Sequence, residues 1–126
     1  MSADSTTSPG TRRLKGDAIE HMACRHLERR GLSLIERNYR SPFGEIDLIM
    51  RDRDTIVFVE VRYRQHIRFG LPAETVDARK QARLRATAEH YLQRDNRACN
   101  KPCRFDIVAV TQDPAGEQLD WLQNAF

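Results

Sequence analysis

Residues 44–64, GEIDLIMRDRDTIVFVEVRYR, decide how this chain can fold. They contain two apolar segments joined by a short polar one, which predicts an antiparallel hairpin. The two segments also contain three acids, Glu45, Asp47 and Glu60, although Asp and Glu are depleted in strands. A charge on a half-buried sheet face costs free energy unless it has a partner. The acids therefore indicate a binding site in the hairpin.

The register of this hairpin follows from the length of its turn. A four-residue loop over residues 52–55 pairs Arg51 with Ile56, and counting back along the ladder sets Asp47 opposite Glu60. Because side chains alternate along a strand, both carboxylates then lie on one face of the sheet. The same alternation predicts that three apolar residues share the other face: Ile46, Leu48 and Met50.

Two carboxylates in this arrangement require a proton or a cation between them, since their Cβ atoms would be about 5 Å apart. Arg62, two residues after Glu60, is one candidate cation, and it would make the acids part of a charge-paired polar patch. A divalent metal is the alternative. Mg²⁺ binds hard oxygen ligands, commonly one or two carboxylates with water and substrate phosphate, so Asp47 and Glu60 suit it. No His is close to them in sequence, which argues against zinc.

Glu20 is a further candidate ligand because it lies at the edge of the apolar stripe of the first predicted helix. Its neighbours three, four and seven residues further on are Ala23, Cys24 and Leu27. This spacing turns the carboxylate towards the domain. A surface Glu beside a narrow apolar stripe is the alternative interpretation.

The remaining pattern predicts one α/β domain around the hairpin. Residues 1–11, rich in Ser, Thr, Pro and Gly, are expected to be a disordered tail, which leaves residues 12–126 as the domain. Periodicity and turn residues predict four further elements: a helix over residues 14–30, a strand over 32–40, a helix from Pro72 to about Arg94 and a strand over 103–111. The order α-β-β-β-α-β favours a mixed central sheet flanked by helices. The end, around Trp121, is ambiguous.

The bulk composition is that of a globular protein that can accept an anionic partner. The 126 residues are 40% hydrophobic and 31% charged, and a formal net charge of +3 permits a polyanionic partner without requiring one. No apolar run approaches the roughly 20 residues of a membrane-spanning helix, and the N-terminus lacks the apolar segment of a secretory signal. A cytoplasmic location away from the membrane is therefore expected. Three cysteines without a Cys-x-x-Cys pair are expected to be reduced thiols.

Five segments together resemble the YraN family of small bacterial proteins. In chain order they are Gly16-Asp17-x-x-Glu20, RNYRSPFGEIDLI over residues 37–49, FVEVRYR over 58–64, Phe69-Gly70, and Val76-x-x-x-Lys80. The match extends from about Lys15 to Val110. The family is grouped with restriction-endonuclease-like nucleases, whose core motif is an Asp followed after a gap by Glu-x-Lys. It is similar to the archaeal Holliday junction resolvases.

The resemblance implies an endonuclease that uses Mg²⁺, with Mn²⁺ as an alternative, to hydrolyse phosphodiester bonds in structured or branched DNA. The metal ligands would be Glu20, Asp47 and Glu60. The position of the nuclease Lys is Arg62 here, and since arginine does not act as a general base, Arg62 would hold the phosphate while Lys80 replaces the lysine. Basic residues would contact flanking phosphates: Arg64, Arg68, Arg79, Lys80 and Arg83. Cutting two strands symmetrically would need a homodimer.

Two other functions remain open from the sequence. The first is a non-catalytic DNA-binding or accessory module on a nuclease-like fold, which Arg62 supports because fold alone does not establish activity. The second is an interaction protein whose acids form a structural ion-pair network. In that case the basic residues at the start of the second helix would be a solvated helix face.

Overall fold

The computed structural model describes the backbone of residues 9–64, 76–95, 100–113 and 116–126. These residues form a single α/β domain with a five-stranded mixed sheet and two helices, which confirms the predicted class and is consistent with a nuclease-like fold. The elements are, in chain order, α1 (Pro9–Arg29), β1 (Ser33–Ser41), β2 (Gly44–Asp52), β3 (Thr55–Arg64), α2 (Ala78–Arg94), β4 (Cys103–Asp113) and β5 (Gly116–Leu122).

The strands are arranged in the sheet in the same order as in the chain, β1-β2-β3-β4-β5. Antiparallel pairing joins β1 to β2, β2 to β3 and β4 to β5, whereas β3 and β4 are parallel. A parallel pair needs a crossover between its strands, and α2 lies in that connection. The second helix is therefore a structural requirement of the sheet as well as a cover for it.

Each helix covers one face of the sheet with its own hydrophobic cluster. On the α1 side the cluster contains Leu27 together with Val57 and Val59 of β3. On the α2 side it contains Tyr91 together with Phe58. The alternation along β3 thus divides one strand between two cores, which is why its sequence is apolar almost throughout.

The helix boundaries differ from those predicted. α1 begins at Pro9, and residues 1–8 of the expected tail lie outside the described residues. α2 begins at Ala78, because the side chain of Asp77 accepts a hydrogen bond from the backbone N–H of Lys80 at 2.8 Å and caps the helix. Pro72, the predicted start, also lies outside the described residues. Neither helix of the described chain is long and apolar enough to cross a membrane.

The strand β5 was not predicted, because most of its residues are exposed and it lies at an edge of the sheet. A buried carboxylate holds it in place. The side chain of Asp106 on β4 is fully buried and accepts hydrogen bonds from Trp121 Nε1 at 2.9 Å and from the backbone N–H of Asn124 at 2.8 Å. Arg104 Nε donates to both of its oxygens, at 3.0 and 3.2 Å.

We predict that Asp106→Ala destabilises the protein severely. The change leaves the donors of Arg104, Trp121 and Asn124 without their acceptor, and breaking a buried ion pair on one side costs on the order of 3–5 kcal/mol. Urea unfolding measures the loss. Asp120→Ala, which removes an exposed carboxylate from neighbouring β5, is the control. Equal unfolding midpoints for the two variants would contradict the prediction.

Candidate functional site

The hairpin opens at Asp47. The predicted register is confirmed from Arg51↔Ile56 to Leu48↔Val59, which is the last pair of the β2–β3 ladder within the described hairpin. The predicted pair of Asp47 with Glu60 is not part of this ladder. One residue further on, the Asp47 side chain takes the place of a backbone acceptor. Its Oδ2 accepts a hydrogen bond from the backbone N–H of Val61 at 2.8 Å. Asp47 therefore lies at the point where β2 separates from β3.

Strict alternation along β2 ends at the same point. Leu48 packs in the cluster on the α1 side, whereas Ile46 and Ile49 both pack in the cluster on the α2 side. The prediction that Ile46 shares a face with Leu48 is therefore wrong. On neighbouring β1, Asn38 has a φ of 53°, in the left-handed region, between the pairs that flank Asp47. At this irregular point of the sheet, the Asp47 carboxylate interacts with Glu20 of α1 and with Lys80 of α2.

Glu60 and Lys80 form an ion pair beside Asp47. Lys80 Nζ on α2 lies 2.7 Å from Glu60 Oε2 on β3. The Glu60 side chain is 9% exposed and that of Lys80 is 42% exposed, so the pair joins a buried acid to a cation at the surface. Lys80 is thus a cation partner of Glu60. Arg62, the sequence candidate for this role, lies half-buried two residues further along β3.

Contacts along α2 position this lysine. Asp77 caps the helix at the backbone N–H of Lys80 itself. Two turns further on, Thr87 Oγ1 accepts a hydrogen bond at 3.3 Å from Ser41 Oγ in the β1–β2 turn. Gly44 follows that turn with a φ of 151°, a backbone conformation that residues with a side chain rarely adopt. The helix is therefore attached to the hairpin that carries the acids.

The electrostatic environment of Asp47 favours its protonated form. Burial is the largest cause, repulsion by Glu60 is the next, and together they raise the pKa of Asp47 to about 7. The hydrogen bond from the Val61 N–H opposes this shift, Glu20 adds a smaller repulsion, and Lys80 slightly lowers the pKa. Asp47 is consequently poised to bind a proton or a cation near neutral pH.

Glu20 reaches the same place from α1. Burial raises the pKa of its carboxyl, while hydrogen bonding with Asn38 and Asp47 and the positive charge of Arg37 act in the opposite direction. Its Oε1 is buried and has no hydrogen-bond partner within the described structure. Glu20 thus faces the sheet acids, and Glu20, Asp47 and Glu60 together are called the acid site below.

The acid site fits a hard divalent cation in its chemistry. All three side chains offer oxygen ligands, Asp47 has a raised pKa, and Glu20 has an unsatisfied buried oxygen. Asp47 interacts with both of the other acids, Glu20 and Glu60. Over the described ranges, however, no group of three or more His, Cys, Asp or Glu is arranged to hold a metal ion. The positive charge found beside Glu60 is the Lys80 ammonium.

The predicted DNA contacts are only partly described. Arg79 and Arg83 are exposed on α2, on the same helix as Lys80. The side chain of Arg64 and the whole of Arg68 lie outside the described residues. Sequence reasoning did not assign a role to Arg37 and Asn38, which interact with Glu20. Both residues lie in the segment over residues 37–49, which carries the family resemblance but does not by itself indicate a contact with Glu20.

The model of an uncharacterised protein family, UPF0102, matches residues 19–110 of this chain. The chain belongs to the UPF0102 family. UPF0102 is the YraN family, so the resemblance seen in the sequence is confirmed. A UPF0102 protein of Nitrosococcus oceani is 52% identical over 118 residues, which cover 94% of this chain and 95% of that protein. One of Pseudomonas entomophila is 52% identical over 112 residues, covering 88% of this chain and 91% of that protein.

The part of the chain that the UPF0102 model matches includes every member of the acid site and Lys80. The names of these similar proteins give the family and no activity, so they show that the chain is related to them without indicating a reaction. A UPF0102 protein of Pseudomonas aeruginosa, 49% identical over 114 residues, covers 89% of this chain and 91% of its own length. The family is therefore matched over nearly the whole of each protein.

The raised pKa of Asp47 predicts a pH-dependent stability. An unfolded Asp titrates near pH 4, so between about pH 4 and 7 the folded protein holds a proton that the unfolded chain has lost. The free energy of unfolding therefore falls as pH rises through this window. Asp47→Asn does not titrate and keeps an oxygen for the Val61 N–H. We expect it to gain at least ~1 kcal/mol relative to wild type from about pH 4 to 8.

Urea unfolding at both pH values, in the presence of a chelator, measures this gain. Glu45→Gln is the control, because Glu45 is an exposed acid in the same strand. Parallel stability curves for wild type and Asp47→Asn would show that Asp47 is not protonated near neutral pH.

Proposed function

We propose that this protein is a metal-dependent endonuclease that hydrolyses phosphodiester bonds in structured or branched DNA. One observation carries the proposal: the partly buried Asp47 carboxyl, with a pKa of about 7, interacts with both Glu20 and Glu60 where β2 and β3 separate. A purely structural position would not require three acids that repel one another. Their arrangement is explained by a cation that arrives with an anionic substrate.

Asp47 and Glu60, with Glu20, would hold Mg²⁺ or Mn²⁺. When bound, such an ion lowers the pKa of a water ligand and stabilises negative charge on the phosphoryl group. Without a cation the pKa of Asp47 is close to neutral, and a bound divalent ion would favour the ionised carboxylate that acts as its ligand. The Val61 N–H would keep this carboxylate in a fixed orientation for the ion.

Lys80 supplies the ammonium that the strand position lacks. Its Nζ already lies against the acid site, at 2.7 Å from Glu60, although it comes from α2. An ammonium there can contact a non-bridging oxygen of the phosphate and stabilise the charge that develops on it. Because arginine does not act as a general base, Arg62 is assigned to holding the phosphate.

Charge and shape, not base sequence, would select the substrate. Arg79 and Arg83 are exposed on α2 near Lys80, Arg64 is the last residue of β3, and Arg68 follows β3 in the chain. Contacts of this kind go to phosphates and position the DNA without reading its bases. A branched substrate fits a small domain with no base-reading element in its described part, and symmetric cutting of two strands would use a homodimer.

A second candidate, a non-catalytic DNA-binding module, has its own supporting observation. Lys80 neutralises Glu60, and the described residues contain no ready-made group of three metal ligands. In this function the ion pair would be permanent and the basic surface alone would bind DNA.

Cleavage assays on linear, flapped and four-way DNA, with Mg²⁺ or Mn²⁺, test the proposal. We expect Asp47→Asn and Glu60→Gln each to lower the cleavage rate at least ~100-fold, because each removes a carboxylate from the reacting centre. Glu45→Gln, a matched loss of one strand carboxylate outside the acid site, should cleave like wild type. DNA binding with no cleavage by wild type in either metal would establish the module instead.

Two variants separate the roles of the basic residues in the same assay. Lys80→Ala should lose cleavage, whereas Arg62→Lys should keep it, since the ammonium already comes from α2. Cleavage that survives Lys80→Ala would remove Lys80 from the mechanism. Thermal unfolding of each variant checks that the fold is intact.

A further inference from the structure

The short turn between β1 and β2 presents an aromatic ring to solvent. The pair Ser41↔Gly44 closes this turn around Phe43. Three large hydrophobic side chains are exposed in the described part of the chain, and Phe43, at 52%, is the most exposed of them and the aromatic one. The other two, Leu34 and Ile35, lie at the opposite end of β1. The ring of Phe43 is therefore accessible to another molecule.

Contacts with α2 hold this ring in place. The backbone N–H of Phe43 donates a hydrogen bond to Ser41 Oγ at 3.0 Å, and Ser41 Oγ donates in turn to Thr87 Oγ1 of α2 at 3.3 Å. The ring also packs edge-on against the ring of His90, with 6.2 Å between the two ring centres. Because the turn is attached to the helix, Phe43 loses little conformational freedom when a ligand contacts it.

One side of α2 connects this turn to the acid site. Residues spaced three or four apart lie along one side of a helix, and five of them form such a row here: Lys80, Arg83, Thr87, His90 and Arg94. Lys80 pairs with Glu60 of the acid site. Arg83 lies beside the turn, since a Cβ added to Gly44 would be 3.8 Å from its Cβ, and His90 contacts Phe43. We call this row, with Phe43, the α2 path.

The α2 path suits a nucleic-acid strand in its charge and in its length. The helix has one acid, Glu89, and five residues with a positive charge: Arg79, Lys80, Arg83, Arg85 and Arg94. Thr87 follows Lys80 by seven residues, which is about 10 Å along the helix axis. That length corresponds to about three base steps of a DNA strand. A basic surface that ends at an aromatic ring is the combination with which proteins hold unpaired nucleotides.

We propose that Phe43 selects branched DNA by stacking on an unpaired base, about three nucleotides from the phosphate at the acid site. This inference rests on the proposed function and names the residue that gives it a preference for DNA structure. Arg83 would hold a phosphate between the two points. A base inside a duplex is already stacked on its neighbours, whereas an unpaired base at a branch has a free face for the ring. Phe43 would therefore add affinity for branched or flapped DNA and none for a plain duplex.

The test compares the binding of flapped and linear DNA by fluorescence anisotropy in EDTA, where no cleavage occurs. The variant Phe43→Leu keeps an exposed apolar side chain and removes only the aromatic ring. Ile35→Ala is the control, because it changes an exposed apolar residue at the opposite end of β1. The fluorescent base 2-aminopurine, placed at the unpaired position of the flapped DNA, reports stacking directly. Thermal unfolding verifies that each variant is folded.

We expect Phe43→Leu to bind flapped DNA at least ~5-fold more weakly than wild type, because it loses one stack between a base and an aromatic ring. Its affinity for linear DNA and its slope of log affinity against log salt should not change, since no charge is removed. Wild type should quench the 2-aminopurine fluorescence and Phe43→Leu should not. Phe43→Trp should keep both the preference and the quenching, and Ile35→Ala should behave like wild type.

Equal binding of flapped DNA by wild type and Phe43→Leu, or quenching that persists in the variant, would overturn this inference. An equal loss for flapped and linear DNA would do the same, since a duplex offers no unpaired base. Sedimentation velocity tests another occupant: a wild-type dimer that Phe43→Leu dissociates would place a second copy of the chain on the ring and also overturn the inference. The proposed function fails separately, if wild type quenches the probe but cleaves no DNA with Mg²⁺ or Mn²⁺.

Discussion

The hydrogen bond from the Val61 N–H to the Asp47 carboxylate is the constraint on which the site depends. It satisfies a backbone donor that the β2–β3 ladder no longer pairs. A side chain thus ends the sheet pairing, and the carboxylate that does so is carried into the interior. This contact holds the carboxylate beside Glu60, where burial and the repulsion by Glu60 raise its pKa although the hydrogen bond itself lowers it. An apolar residue at position 47 would leave the donor unpaired and the strands without a defined point of separation.

The site combines charges that no single element could hold. One acid comes from α1, two come from the sheet, and the compensating ammonium comes from α2. Burying like charges side by side costs free energy. Three features lower this cost: Asp47 takes up a proton readily, Glu60 has an ion pair, and Glu20 has hydrogen-bonding groups near it. Each helix therefore changes the electrostatic environment of the sheet acids: Glu20 of α1 raises the pKa of Asp47, whereas Lys80 of α2 lowers it and pairs with Glu60.

Much of this architecture was accessible from the sequence because it depends on local rules. The antiparallel hairpin and the pairing of Arg51 with Ile56 follow from alternation and the length of one turn. Ile46 was misplaced because alternation assumes a regular strand, and the left-handed Asn38 beside it is visible only in three dimensions. The start of α2 depends on one capping side chain, Asp77, whereas the sequence pattern placed it at Pro72.

The non-local features were harder for a different reason. β5 is a short edge strand whose anchor, Asp106, lies fifteen residues before Trp121 in the chain. The contact between Lys80 and Glu60 spans a connection that includes residues outside the described ranges. The spacing of residues in the sequence does not give the distance between Lys80 and Glu60. Lys80 could therefore be named as a replacement for the nuclease lysine, but its ion pair with Glu60 could not be predicted. Long-range pairs of this kind are set by packing, which periodicity does not encode.

The parallel pairing of β3 with β4 has a consequence for the order of folding. Ile56 and Cys103 are partners although much of the chain separates them, whereas β1, β2 and β3 form a meander of neighbours. Contacts between distant parts of a chain form more slowly, because closing the intervening loop costs entropy. The carboxylates of Asp47 and Glu60 are therefore expected to meet before the crossover helix delivers its ammonium. Their mutual repulsion therefore acts on the hairpin while it forms, and Lys80 compensates for it only after the crossover has closed.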